Sequence, residues 1–136
     1  MHSKLYSLVA TTLFLAVLAE SSDCYKGGAK FSDLGGTIDI SNAFNSICDR
    51  IGGKKYQLGE KVFDCENIGD YSVDVSIKVN KDSDSKGAVF ELKKVDCSRY
   101  LSQITDCERG GYLNIEMVGS HKVKAAVMVD PQQGKC

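Results

Sequence analysis

Six cysteines in one short chain set the strongest limit on its fold. Cys24, Cys48, Cys65, Cys97, Cys107 and Cys136 all follow an apolar N-terminal run. An even count in a small exported chain reads as a disulfide framework of three bridges. Six cysteines allow about 15 pairings. Cys97 and Cys107 fall on one predicted helix, ten residues and so roughly 15 Å apart. A disulfide needs Cα atoms within about 7 Å, which excludes Cys97–Cys107 and leaves about 12 patterns. The connectivity stays open among these; the pairing expected first is Cys136 with Cys97, which would pin the C-terminus.

Export is read from the N-terminus. Met1-His2-Ser3-Lys4 precedes an apolar run from Leu5 to Ala19, and Val17-Leu18-Ala19 or Ala19-Glu20-Ser21 fits a signal-peptidase site. Residues 1–21 are therefore expected to be a cleaved signal peptide. Residues 22–136 form one secreted domain of about 115 residues, a common domain size. The run is shorter than the roughly 20 residues of a membrane span, so no membrane span is expected. Removing Lys4 and Glu20 from 17 basic and 18 acidic residues leaves 16 and 17. That balance argues against nucleic acid as the partner.

Hydrophobic periodicity supplies the elements. Ile40, Phe44, Ile47, Cys48 and Ile51 recur at helical spacing, with Asp39 or Ser41 as cap and Gly52-Gly53 as stop. Val95 to Gly111 reads as a second helix with a buried stripe of Cys97, Tyr100, Leu101, Ile104 and Cys107. Asp96 is its expected cap and Gly110-Gly111 its left-handed stop. Both helices close on Cys, an acid, Arg and two glycines, which predicts two equivalent helices side by side. Ala29-Lys30-Phe31 and Lys61–Cys65 read as short strands. Val73, Val75, Ile77 and Val79 alternate with Ser72, Asp74, Ser76 and Lys78, a strand with one buried and one wet face. Ala88–Leu92 is expected to pair with it across a polar loop at 80–87. Tyr112–Met117 and Val123–Val129 follow, joined at Gly119-Ser120, and Pro131 is expected to end the last strand. The fold class is a two-layer α+β sandwich: an antiparallel sheet of four to five strands, with two helices on one face and disulfides as staples.

Catalytic chemistry finds little support. His121 is the only histidine beyond the leader, beside a predicted turn, and every cysteine is assigned to a bridge. No Gly-x-Ser-x-Gly elbow, Gly-x-x-x-x-Gly-Lys loop or Cys-x-x-Cys pair occurs. Asp64, Glu66, Asp74 and Glu116 are scattered over positions read as solvent-facing. The reading is a non-enzyme without cofactor or metal. The wet sheet face is the candidate site, with Tyr112, Asn114, Glu116 and Asp74 as glycan-binding residues. An aromatic ring covers the C–H face of a sugar, while amide and carboxylate groups bond its hydroxyls. A flat face or free strand edge also offers a homodimer contact through the sheet.

Three segments carry a resemblance: the helix Cys97-Ser98-Arg99-Tyr100-Leu101-Ser102-Gln103-Ile104, the stop Cys107-Glu108-Arg109-Gly110-Gly111, and the tail Asp130-Pro131-x-x-Gly134-x-Cys136. Together they resemble small secreted fungal proteins related to a mushroom glycan-binding lectin. The tail has Gln132 where that pattern has Asn, and the chain has no tryptophan. The resemblance implies a single disulfide-held α/β sandwich and binding of a glycan or glycoprotein. It assigns no ligand residue. The chain also resembles fungal killer-toxin-like effectors, which implies the alternative of a secreted protein acting on a host or competitor protein.

Overall fold

The computed structural model describes residues 17–81, 87–118 and 122–136. The turn at Gly119-Ser120, His121 and most of the polar loop lie outside these residues. The core of the fold is a five-stranded antiparallel sheet. Its strands are β1 (Val17–Cys24), β3 (Lys61–Ile68), β4 (Tyr71–Val79), β6 (Gly111–Val118) and β7 (Lys122–Gln133). They lie in the order β1-β6-β7-β4-β3. Val73, Val75, Ile77 and Val79 of β4 and Val123, Ala125, Val127 and Val129 of β7 are buried, as strict alternation requires. They form one core with helices α2 (Thr37–Ile51) and α3 (Lys94–Ile104). The expected α+β sandwich is therefore the observed architecture.

Five expectations change. Ala88–Leu92 yields β5 (Val89–Leu92), but its partner is β2 (Lys54–Gln57) in a separate two-stranded sheet. β4 is already flanked by β3 and β7, so it has no free edge for β5. The expected strand at Ala29–Phe31 is instead the start of a short helix, α1 (Phe31–Leu34). The Lys30 amide donates to the Asp33 carboxylate at 3.0 Å, an interaction that nucleates a turn. Phe31 packs edge-on against Phe44 of α2.

The third change is at α3. The buried stripe is as read, but the helix begins at Lys94, so Asp96 lies inside its first turn and pairs with Arg99 at 2.9 Å. The helix ends at Ile104 rather than at the glycines. The Thr105 hydroxyl donates to the Ser102 carbonyl at 2.6 Å, and the Asp106 and Cys107 amides reach back three residues. That tightening unwinds the last turn and swings Cys107 toward Cys24. The two helices are therefore not equivalent: Cys48 sits on α2, whereas Cys107 lies beyond α3.

Fourth, β7 runs through Pro131 to Gln133. Pro131 pairs with Val73 of β4, beyond the end of β6, whose pairing stops at Gly111 and Val129. With no strand on that side, the missing N–H breaks no ladder. Fifth, the bridges are Cys24–Cys107, Cys48–Cys97 and Cys65–Cys136. Cys136 thus joins β3 and not Cys97, because the end of β7 runs beside β4, next to β3. Cys97 faces α2, where Cys48 lies 5.8 Å away between Cα atoms.

β1 crosses the expected cleavage position. Processing after Ser21 would leave Ser22, Asp23 and Cys24 paired with Leu113, Tyr112 and Gly111. The arm that follows is held by the turn after α3: Tyr25 and Phe31 amides donate to the Gly110 and Glu108 carbonyls, both at 2.9 Å. Arg109 also donates to the Gly28 carbonyl.

Candidate site on the open sheet face

The register turns the open face into a grid. Rows run across the strands, and neighbouring rows lie two residues, about 7 Å, apart. The first row is Asn67, Ser72 and Gln132. The second is Cys65, Asp74 and Asp130. The third is Phe63, Ser76, Met128, Tyr112 and Asp23. The fourth is Lys61, Lys78, Ala126 and Asn114. The fifth brings Lys124 opposite Glu116, with the Asn80 amide donating to the Lys124 carbonyl at 2.8 Å. The face is thus acidic on one side, apolar and aromatic across the middle, and basic on the other.

Tyr112, Asn114, Glu116 and Asp74 all lie on this face, the first three on β6 and Asp74 on β4, each in a different row. Tyr112 and Asn114 are half-buried. Glu116 is only 7% exposed, and its carboxylate pairs with the Lys122 ammonium at 2.8 Å. It therefore orders the basic end of the grid. Asp74 stands directly opposite Asp130. Burial pushes the Asp74 carboxyl above its ordinary value. Burial and then the Asp74 charge do the same to Asp130, against a 2.6 Å hydrogen bond donated by Gln132. Tyr25 is also raised, by burial and then by the charges of Asp130 and Tyr112.

Asp130, Gln132, Tyr25, Met128 and Phe63 join this site although the sequence reading did not single them out. Asp130 was hidden by the expectation that Pro131 ends the strand. Phe63, 63% exposed, broke the expected pattern of an apolar residue facing the core. An acid pair directly opposite across two strands disfavours the doubly charged state. Both carboxyls titrate higher in the folded protein, so folding favours their protonated forms. That contribution is present at low pH and is lost as pH rises through the folded-state values. Asp74→Asn is therefore expected to stabilise the protein at pH 7 by up to about 1 kcal/mol. The gain should vanish below the carboxylate range, which thermal melting at the two pH values checks.

Asp64 and Glu66 lie on the opposite side of β3 from this face. Arg50, in the last turn of α2, donates to the Asp64 carboxylate at 2.7 Å, the Glu66 carboxylate at 2.8 Å and the Cys65 carbonyl at 3.3 Å. These bonds hold its guanidinium above its ordinary value. The Cys65 amide is engaged by the Asp64 side chain at 2.8 Å, so the middle of the β3 edge is already occupied. Such blocking is how edge strands avoid pairing with other chains. Arg50→Ala is expected to cost about 1 kcal/mol, since the pair is partly solvated. It should also raise self-association, read by light scattering over a concentration series. No change in association would show that the edge is closed by other means.

Among the described residues no three His, Cys, Asp or Glu side chains gather as a metal site. No described helix is long and apolar enough to cross a membrane. No protein-family model matches the chain, and no curated protein is found similar to it.

Proposed function

We propose that this is an exported, non-catalytic carbohydrate-binding protein whose site is the open sheet face. The observation that carries the reading is the central row. Tyr112 and Met128 stand side by side, with the Asp74 and Asp130 carboxylates one row away and the Gln132 amide one row further, donating to Asp130. A sugar ring lies on the apolar row, and its hydroxyls donate to the carboxylates. The crowding of two desolvated acids lowers stability, a cost that functional sites commonly retain. Three disulfides agree with an oxidising, extracellular setting.

The test is a glycan-array screen of the oxidised protein, residues 22–136. Selective retention of one glycan class is expected. Tyr112→Ala should weaken that binding by about tenfold or more, on the scale of one lost stacking contact with its area. Its far-ultraviolet spectrum should stay unchanged. Full binding by the variant would remove this face from consideration. One observation favours a second reading, a secreted effector that binds a host or competitor protein. Phe63 presents an exposed ring at the end of the same row, as a protein-binding surface would. Capture of one specific protein that survives deglycosylation would support it.

A further inference from the structure

The basic end of the grid holds a feature that a neutral sugar does not require. Lys61 and Lys78 stand directly opposite each other on β3 and β4. Like charges so placed repel and lower stability. Both are exposed, and neither joins an ion pair among the described residues. The next strand in their row contributes Ala126, whose small side chain leaves room beside them. A cavity of about 370 Å³ opens on the Ala126 side of Lys78, lined by Lys78, Lys124, Ala126, Asn80 and Asn114, with Lys61 beyond Lys78. Glu116, the carboxylate in the next row, is buried against Lys122. The corner thus gathers ammonium and amide groups around a small apolar floor, one row from Tyr112.

We propose that this corner receives an anionic group of the saccharide bound on the face, so that the ligand is an acidic glycan. This rests on the carbohydrate reading above. A carboxylate or sulfate between Lys61 and Lys78 would turn their repulsion into two charge-assisted contacts. The spacing fits an extended ligand. The lysine row and the acid row flank the aromatic row at about 7 Å on either side. A saccharide crossing β4 and β7 toward β6 then meets Lys61 and Lys78 at one end, Met128 and Tyr112 in the middle, and the Asp74 and Asp130 acceptors at the other end. The same order rejects a polyanion with charges along its whole length, because Asp74 and Asp130 would face its far end.

The experiment pairs acidic glycans with neutral counterparts on one array. The pairs are uronate oligosaccharides against their methyl esters, and sulfated against unsulfated chains. The oxidised protein is compared with a Lys61→Gln, Lys78→Gln double variant. The expected result is retention of the acidic members and roughly tenfold weaker binding by the variant, the scale of a lost hydrogen bond to a charged group. The variant should melt at the same temperature or higher, since a repulsive pair is gone. Carboxylate-only or sulfate-only retention identifies the anionic group. Equal binding of charged and neutral members, unaffected by the double substitution, overturns this inference and leaves the carbohydrate reading standing. No retained glycan from folded protein overturns both.

Discussion

Replacing Cys48 and Cys97 together by alanine is expected to be among the most damaging changes this protein can undergo. The bridge joins α2 to α3 and closes a separation of 49 residues. Chain entropy alone assigns roughly 4 kcal/mol to a loop of that length. Both sulfurs are also buried, with Cys48 at 2% and Cys97 at 1% exposure. Truncation adds a cavity between the helices, about 1–2 kcal/mol more. The instructive comparison is Cys65–Cys136, which closes 71 residues but ends on an exposed tail. Loop closure alone would make that bridge the costlier one to lose. Packing makes it the cheaper. Urea unfolding of the two double variants decides between them. A clearly lower midpoint for the helix bridge shows that core packing dominates, while a midpoint for the tail bridge that is equal or slightly lower shows that chain entropy does.

Much of the fold was legible because periodicity reports burial. The stripe on α3 and the alternation on β4 needed no knowledge of neighbours, since each element shows its buried face within a few residues. The pairings were not legible for the opposite reason. Whether β5 joins β4 or β2, and whether Cys136 reaches Cys97 or Cys65, depends on which strands lie adjacent after folding. Sequence proximity favoured β4 for β5, yet β3 and β7 already occupy both of its edges. The cap on α2 was partly legible: Asp39 was named, and it accepts the Gly36 amide at 3.0 Å from inside the first turn. At the other end of α2, the Tyr56 hydroxyl donates to the Ile51 carbonyl at 2.5 Å, a contact between elements with no local signal. The site divides in the same way. Strand alternation placed Tyr112, Asn114, Glu116 and Asp74 on one face. The opposition of Asp74 to Asp130, and of Lys61 to Lys78, required the register.

Gly110→Ala should cost about 3 kcal/mol, the upper part of the usual range for a single substitution, because this turn residue is buried against β7. Gly110 has φ +80°, a backbone conformation that strains any residue with a Cβ. Space is the larger difficulty. A Cβ there would collide with the Val129 carbonyl and approach the Pro131 Cδ at 2.7 Å. Both belong to β7, so the collision cannot be relieved by a side-chain rotation. Gly69, in the turn between β3 and β4, separates the two effects. Its φ is +59°, yet nothing lies within 4 Å of the added carbon, so Gly69→Ala should cost only about 1 kcal/mol. The difference between the two variants, measured by denaturant unfolding, is the cost of pushing the turn off β7. That push has a consequence at the open face. The Gly110 carbonyl accepts the Tyr25 amide, and Gly111 starts β6 immediately before Tyr112. A shift there tilts Tyr25 and Tyr112 away from Asp130 together. Gly110→Ala should therefore weaken binding at the central row even under conditions where the variant remains folded, whereas Gly69→Ala should leave binding intact. Equal binding by both variants would show that the turn secures the fold without positioning the tyrosines.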